Sequence, residues 1–173
     1  MARSRRLRAI APLAGGSDRL TPAALDPEEV VRRLGLFPHP EGGFYRETFR
    51  SPLSLPLADG RVRAASTAIY YLLPSGTFSA WHQVGSDEVW HHYAGGPLRL
   101  YLLGHGEHRL DGDHPQAVVP AGVWQAAEPV DRPVLCGCTV APGFDFADFR
   151  LADREALTRA HPAEAELIRR LSR

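Results

Sequence analysis

Between Trp81 and Tyr93 the chain reads Trp-His-Gln-Val-Gly-Ser-Asp-Glu-Val-Trp-His-His-Tyr, which gathers three histidines, an acidic pair and three aromatic residues around one glycine turn. Imidazole and carboxylate side chains brought together hold a divalent metal or move protons. In an extended strand, alternate residues share a face, so Glu88, Trp90 and His92 fall on one side and Val89, His91 and Tyr93 on the other. If Glu88 points into an interior, His92 goes with it. A carboxylate beside an imidazole orients the ring and strengthens it as a base, which makes His82 and Glu88 the candidate acid–base pair.

Other chemistries are excluded by composition. The chain has 173 residues, 20 cationic and 20 acidic, and a formal net charge of zero. No global field steers it to nucleic acid or to an anionic membrane, and no apolar run is long enough for a membrane helix. There is no lysine and no asparagine, so a lysine Schiff base is ruled out. Cys136 and Cys138 lie two apart and share a strand face with Val134 and Val140. They read as reduced core thiols rather than a disulfide framework. Cytoplasmic location is the expectation. Arg46 and Glu47 are adjacent and must face opposite ways. Arg46 can clamp a ligand carboxylate or phosphate, or stitch its strand to a neighbour. Gly42 and Gly43 suit a tight turn better than a phosphate cradle, because no helix follows them.

The elements that must position these groups are mostly strands. Asp26, Pro27 and Glu29 mark a helix start with a capping box, Val30, Val31 and Leu34 its buried stripe, and Gly35 its left-handed stop. The period then becomes two. Segments 44–50, 66–73, 78–84, 87–93, 98–103, 116–119, 122–127, 133–140 and 146–151 read as strands separated by Gly, Pro and Asp turns. Many short strands at this spacing predict an all-β antiparallel sandwich or barrel. Helical patterning returns from Asp153 to Ala160, and again after Pro162. One domain is expected: a basic, aperiodic tail over 1–25, a barrel over 26–151 and a helical extension over 152–173. The tail is expected to be flexible.

The spacing around the dense stretch resembles the cupin superfamily. Gly76, His82, Glu88 and Gly95 stand at the intervals of the first cupin motif, with Val84 where a second histidine belongs. Pro120 and Gly122 fit the second motif, in which Gln125 replaces a histidine and Pro129 an asparagine. More narrowly, four runs in order are similar to the cupin-five family. They are His39-Pro40-Glu41-Gly42-Gly43-Phe44-Tyr45-Arg46-Glu47-Thr48, Ser86 through Gly95, Pro120 through Gln125, and Val140 through Phe146. The resemblance covers about residues 26 to 151. It implies a jelly-roll barrel with short flanking helices, a homodimer, and a label of sugar-epimerase-like that rests on fold analogy. It also implies a metal site of three histidines and one glutamate. Here only His82, Glu88 and Gln125 remain to form it, a set that holds a divalent ion weakly, unless His92 adds a ligand.

Three functions follow as expectations. The first is an isomerase or epimerase acting on a small polar carbonyl compound, with a nucleotide-linked sugar as one example, and with no cofactor. His82 takes a proton beside the carbonyl, Glu88 orients it, Tyr45 or Tyr71 returns a proton from the other face, and Gln125 holds the substrate oxygen. Arg46, Trp90, His92, Trp124 and Gln125 are the candidate ligand-binding residues. The second is a non-catalytic small-molecule binding protein using the same pocket. The third is an oxygenase or hydrolase that works with a weakly held divalent metal.

Overall fold

The computed structural model describes residues 25–173. The expected N-terminal tail, apart from Leu25, lies outside the described residues. Helix α1 spans Pro27–Leu34. The Asp26 side chain caps it by accepting from the Glu28 amide at 3.0 Å, with Pro27 in the first turn. Gly35 ends it in the left-handed conformation, with φ 61°. Thirteen strands follow among the described residues: β1 Phe37–Pro38, β2 Phe44–Arg50, β3 Ser54–Pro56, β4 Val62–Ala64, β5 Thr67–Leu73, β6 Ser79–Gln83, β7 Asp87–Gly95, β8 Leu98–Leu102, β9 Gly106–Leu110, β10 Gln116–Val119, β11 Gln125–Pro129, β12 Val134–Ala141 and β13 Arg150–Leu151. Helices α2, Arg154–Ala160, and α3, Ala165–Arg170, close the chain.

All strand pairs run antiparallel. One sheet has the order β1-β2-β5-β12-β7-β10, the other β13-β6-β11-β8-β9, and β3 with β4 forms a separate hairpin. The two sheets face each other as a jelly-roll barrel. Their inner faces share one core, which includes Tyr71, Trp90, Leu98, Leu100, Leu110, Val134, Cys136 and Cys138. Each sheet also has its outer face covered. Val30 and Leu36 pack with Leu72 and Leu135 outside the first sheet. Leu157, Ile168 and Leu171 pack with Trp81, Tyr101 and Ala126 outside the second. Each such aliphatic side chain stabilises by about 1.5–3 kcal/mol when fully buried. The C-terminal segment is also joined to β6 through its backbone: the Trp81 amide donates to the Leu171 carbonyl at 3.0 Å, and the Ala152 amide to the Trp81 carbonyl at 2.9 Å. The helical extension is thus packed on the strand that carries His82.

The structure departs from the sequence expectation in several strands. The segment 146–151 is not a full strand. Asp145 accepts from the Ala147 amide at 2.9 Å and turns Phe146–Asp148 into a 3₁₀ turn, leaving β13 only two residues long. Strands β1 and β9 and the β3–β4 hairpin were not legible, because they are short or mostly exposed and offer no sustained alternation. The two cysteines are free and buried, as their shared row suggests, and burial pushes both thiols above the usual range.

Candidate functional site

A cavity of about 460 Å³ opens at one end of the barrel. Its deep part is lined by Glu41, His82 and Glu88, whose exposures are 6%, 2% and 6%. Val84, Ile69 and Cys138 supply apolar wall, and Tyr45, Phe144 and the half-exposed Phe146 stand at the rim. His82 comes from the second sheet, whereas Tyr45 and Glu88 come from the first. Groups on both walls therefore reach one space.

The local sequence explains how a carboxylate enters this interior. The His39–Gly43 segment is a tight loop in which the Gly42 amide donates to the His39 carbonyl and the His39 amide to the Gly43 carbonyl, both at 3.1 Å. Gly42 has φ 125° and lies so close to β6 that a Cβ there would collide with the Phe78 carbonyl. The loop is stitched to β6 by the Ala80 amide, which donates to the Glu41 carbonyl at 2.8 Å. Ser79 Oγ donates to Glu41 Oε1 at 2.9 Å, and Tyr71 OH donates to the Gly42 carbonyl at 2.8 Å. Glu41 Oε2 then lies 3.4 Å from His82 Nε2. His82 Nδ1 faces the Ala80 carbonyl at 2.8 Å. A carbonyl only accepts, so Nδ1 carries a proton and Nε2 is the nitrogen that exchanges with Glu41 and the cavity. His39 has its Nδ1 3.3 Å from the Glu41 amide, which donates to it. Burial, above all, lowers the pKa of His39 and favours its neutral form.

Glu88 is held differently. Gln125 Nε2 donates to its Oε2 at 2.6 Å, and Trp90 Nε1 donates to Gln125 Oε1 at 2.9 Å. Burial pushes the Glu88 carboxyl up from the usual carboxylate range. His82 and the Gln125 and Cys138 hydrogen bonds oppose that shift, and Glu41 adds to it. A folded-state pKa raised in this way gives stability that is complete below the ordinary value of 4.5 and is lost as pH rises through the folded value. The Glu88→Gln variant removes that loss. In urea melts, its stability relative to the wild type is therefore expected to grow from pH 4.5 to pH 7.5. A constant difference across that range would contradict the origin given for the shift.

The sequence-stated candidates distribute unevenly. His82, Glu88 and Tyr45 line the cavity. His82 pairs at ion-pair distance with Glu41 and not with Glu88, which corrects the expected dyad: β6 presents His82 towards the glycine loop. Gln125 does not line the cavity: its side chain is buried, with its nitrogen donating to Glu88 and its oxygen accepting from Trp90. Tyr71 is buried behind Glu41, and its hydroxyl holds the Gly42 carbonyl. Arg46 faces out and donates to the Leu34 carbonyl at 2.8 Å, closing the end of α1. Its neighbour Glu47 faces the cavity, where Arg50 binds it at 2.6 and 2.9 Å. His92 does share the Glu88 and Trp90 side, opposite Cys136, but Trp90 lies between it and the cavity, and its Nε2 faces the Gly96 carbonyl at 3.0 Å. Trp124 packs in the cluster outside the second sheet. Glu41 and Ser79 were missed. The available signal was the pair Gly42-Gly43 directly after an acidic residue, since a loop that tolerates only glycine can press a side chain into a barrel.

The donor set does not fit the metal that the cupin motif implies. Val84 has no ligand atom, and Gln125 Oε1 is directed to the Trp90 indole. Among the described residues no group of three or more His, Cys, Asp and Glu side chains is arranged to hold a metal ion. Val84→His adds an imidazole to the cavity wall near His82 and Glu88. It is expected to raise affinity for Zn²⁺ or Ni²⁺ at least tenfold in calorimetric titration (about 1.4 kcal/mol). Equal affinity in wild type and variant would show that position 84 is not what limits the site.

Comparison with known proteins gives the family and the fold. Residues 28–152 match the family described as Cupin superfamily (DUF985), cupin-five, and the chain belongs to it. It is similar to the uncharacterised protein YML079W of Saccharomyces cerevisiae, at 31% identity, with 70% of this chain and 72% of the yeast chain covered. Among solved structures, protein SO0799 of Shewanella oneidensis superposes with a TM-score of 0.78 at 33% identity, covering 87% of this chain and 99% of that one. A hypothetical protein from Leishmania major gives a TM-score of 0.77 at 29% identity, covering 84% and 97%. No helix among the described residues is long and apolar enough to cross a membrane.

Proposed function

We propose that this cupin is an isomerase or epimerase that moves a proton at the carbon beside a carbonyl in a small polar compound. The observation that supports this reading is the His82–Glu41 pair, at 3.4 Å and deep in a 460 Å³ cavity, with the other ring nitrogen held by the Ala80 carbonyl. His82 Nε2 takes the proton. The Glu41 carboxylate stabilises the imidazolium that forms, and Ser79 holds that carboxylate in place. Glu88, whose carboxyl burial pushes up from the usual carboxylate range, lines the same cavity and in its protonated form would donate a hydrogen bond to the oxygen on which charge develops. Tyr45, on the opposite wall from His82, returns a proton from the other face.

The test is incubation of the full chain in D₂O with a panel of small aldehydes, ketones and keto acids, read by proton NMR. Deuterium entering the position beside the carbonyl supports the reading. Panel members that bind without any exchange would leave a binding protein using the same pocket.

A further inference from the structure

We infer that the ligand of this cavity carries a positive charge, as an ammonium or other onium group seated at the rim between Asp145 and the rings of Tyr45, Phe144 and Phe146. This rests on the cavity being the functional site, and it names the chemical class of the molecule that enters.

The charge of the lining supports it. Four carboxylates line the cavity, Glu41, Glu47, Glu88 and Asp145, against a single guanidinium, Arg50. Arg50 is already committed: its Nε and Nη2 bind both oxygens of Glu47, and Nη2 also reaches the Phe144 carbonyl at 3.2 Å. It offers no free fork to a phosphate or carboxylate. Glu41 lies deep in the cavity, held by Ser79 beside His82, and Glu88 lies equally deep, bound by Gln125. Asp145 is left. Its side chain accepts one hydrogen bond, from the Ala147 amide. Arg50 and Arg63 feel its charge, but each is bound to another carboxylate, Glu47 and Asp148 respectively. An anion entering here meets a lining in which carboxylates outnumber the one guanidinium, itself bound to Glu47, while a cation meets a carboxylate that forms no side-chain ion pair among the described residues.

The rim is also aromatic. Phe144 and Phe146 meet edge to face, with centroids 5.1 Å apart, and His39 stacks on Phe146 at 6.1 Å and packs edge-on against Tyr45 at 4.5 Å. Phe146 is 51% exposed although it lines the cavity. A large apolar ring held at a cavity mouth beside a carboxylate offers the negative π-face that attracts onium groups.

The experiment compares three probes of nearly equal shape by calorimetric titration: choline, the neutral 3,3-dimethylbutan-1-ol, and the anionic 3,3-dimethylbutyrate. Choline is expected to bind at least about tenfold more tightly than the neutral isostere, and the anion least of all. Asp145→Asn keeps the oxygen that caps Ala147 and removes only the charge, so choline affinity should fall about fivefold with the melting temperature unchanged. Phe146→Ala should weaken choline comparably. Equal or tighter binding of the neutral or anionic probe, or no binding of any probe, overturns the inference. The result is separable from the acid–base reading. His82→Ala should keep the preference for choline while losing exchange. Deuterium exchange on uncharged compounds without any preference for choline would leave proton transfer standing and remove the charged ligand.

Discussion

His82→Ala is expected to abolish deuterium exchange, lowering the rate by about 10²–10⁴-fold, the usual contribution of a positioned acid or base. The fold should survive, because the variant loses one buried imidazole and its hydrogen bond to Ala80, worth about 1–2 kcal/mol. Glu41→Gln should act through the same ring and more mildly. In catalytic triads the loss of the carboxylate is severe because the imidazole then adopts the wrong tautomer. Here the Ala80 carbonyl fixes the tautomer independently, so removing the Glu41 charge costs only the stabilisation of the imidazolium. A loss of about 10–10²-fold is expected for it, and the double variant should be little worse than His82→Ala alone. Steady-state exchange rates with one substrate across the three variants decide this. Full activity in His82→Ala would remove the catalytic assignment.

Gly42→Ala is expected to have the largest effect on stability. Its φ of 125° lies where L side chains rarely go, and the added methyl group would collide with the Phe78 carbonyl, which is backbone and cannot swing aside. Strained backbone costs about 1–3 kcal/mol, and forced overpacking about as much again, so a total near 3–5 kcal/mol is expected. The site should suffer with the fold, since the loop that moves is the one that carries Glu41 and receives the Ala80 amide. Urea melts measure the first effect and exchange per folded molecule the second. The Gly60→Ala control also has positive φ, but an added Cβ meets nothing within 4 Å, so it should lose only the backbone component. If both variants lose the same small amount, close packing at Gly42 is not what sets the loop.

Much of the barrel was legible because half-buried strands alternate. Strand β7 begins with that alternation, β5 and β12 read as apolar β-branched and aromatic runs between turn residues, and α1 reads from Asp26, Pro27 and Gly35. The 3₁₀ turn at Phe146 was hidden by Phe144 and Phe146, whose spacing of two imitates a strand while Asp145 redirects the backbone. The site was half legible. His82 and Glu88 stood out by type and spacing, and both reach the cavity. Their partners did not, because pairing depends on distance through space. Glu41 arrives on a loop far away in sequence, and Gln125 spends its oxygen on Trp90, which comes from the other sheet. Arg46 seemed a natural ligand clamp, but the end of α1 claims it.

The central claim is that His82 works with Glu41 and not with Glu88. It is tested most directly by the ring nitrogens of His82, observed by ¹⁵N NMR in the wild type, Glu41→Gln and Glu88→Gln. The structure predicts a protonated Nδ1 in all three proteins, an Nε2 resonance that moves strongly when Glu41 is neutralised, and a much smaller movement when Glu88 is. An Nε2 resonance that responds to Glu88→Gln and ignores Glu41→Gln would contradict the account.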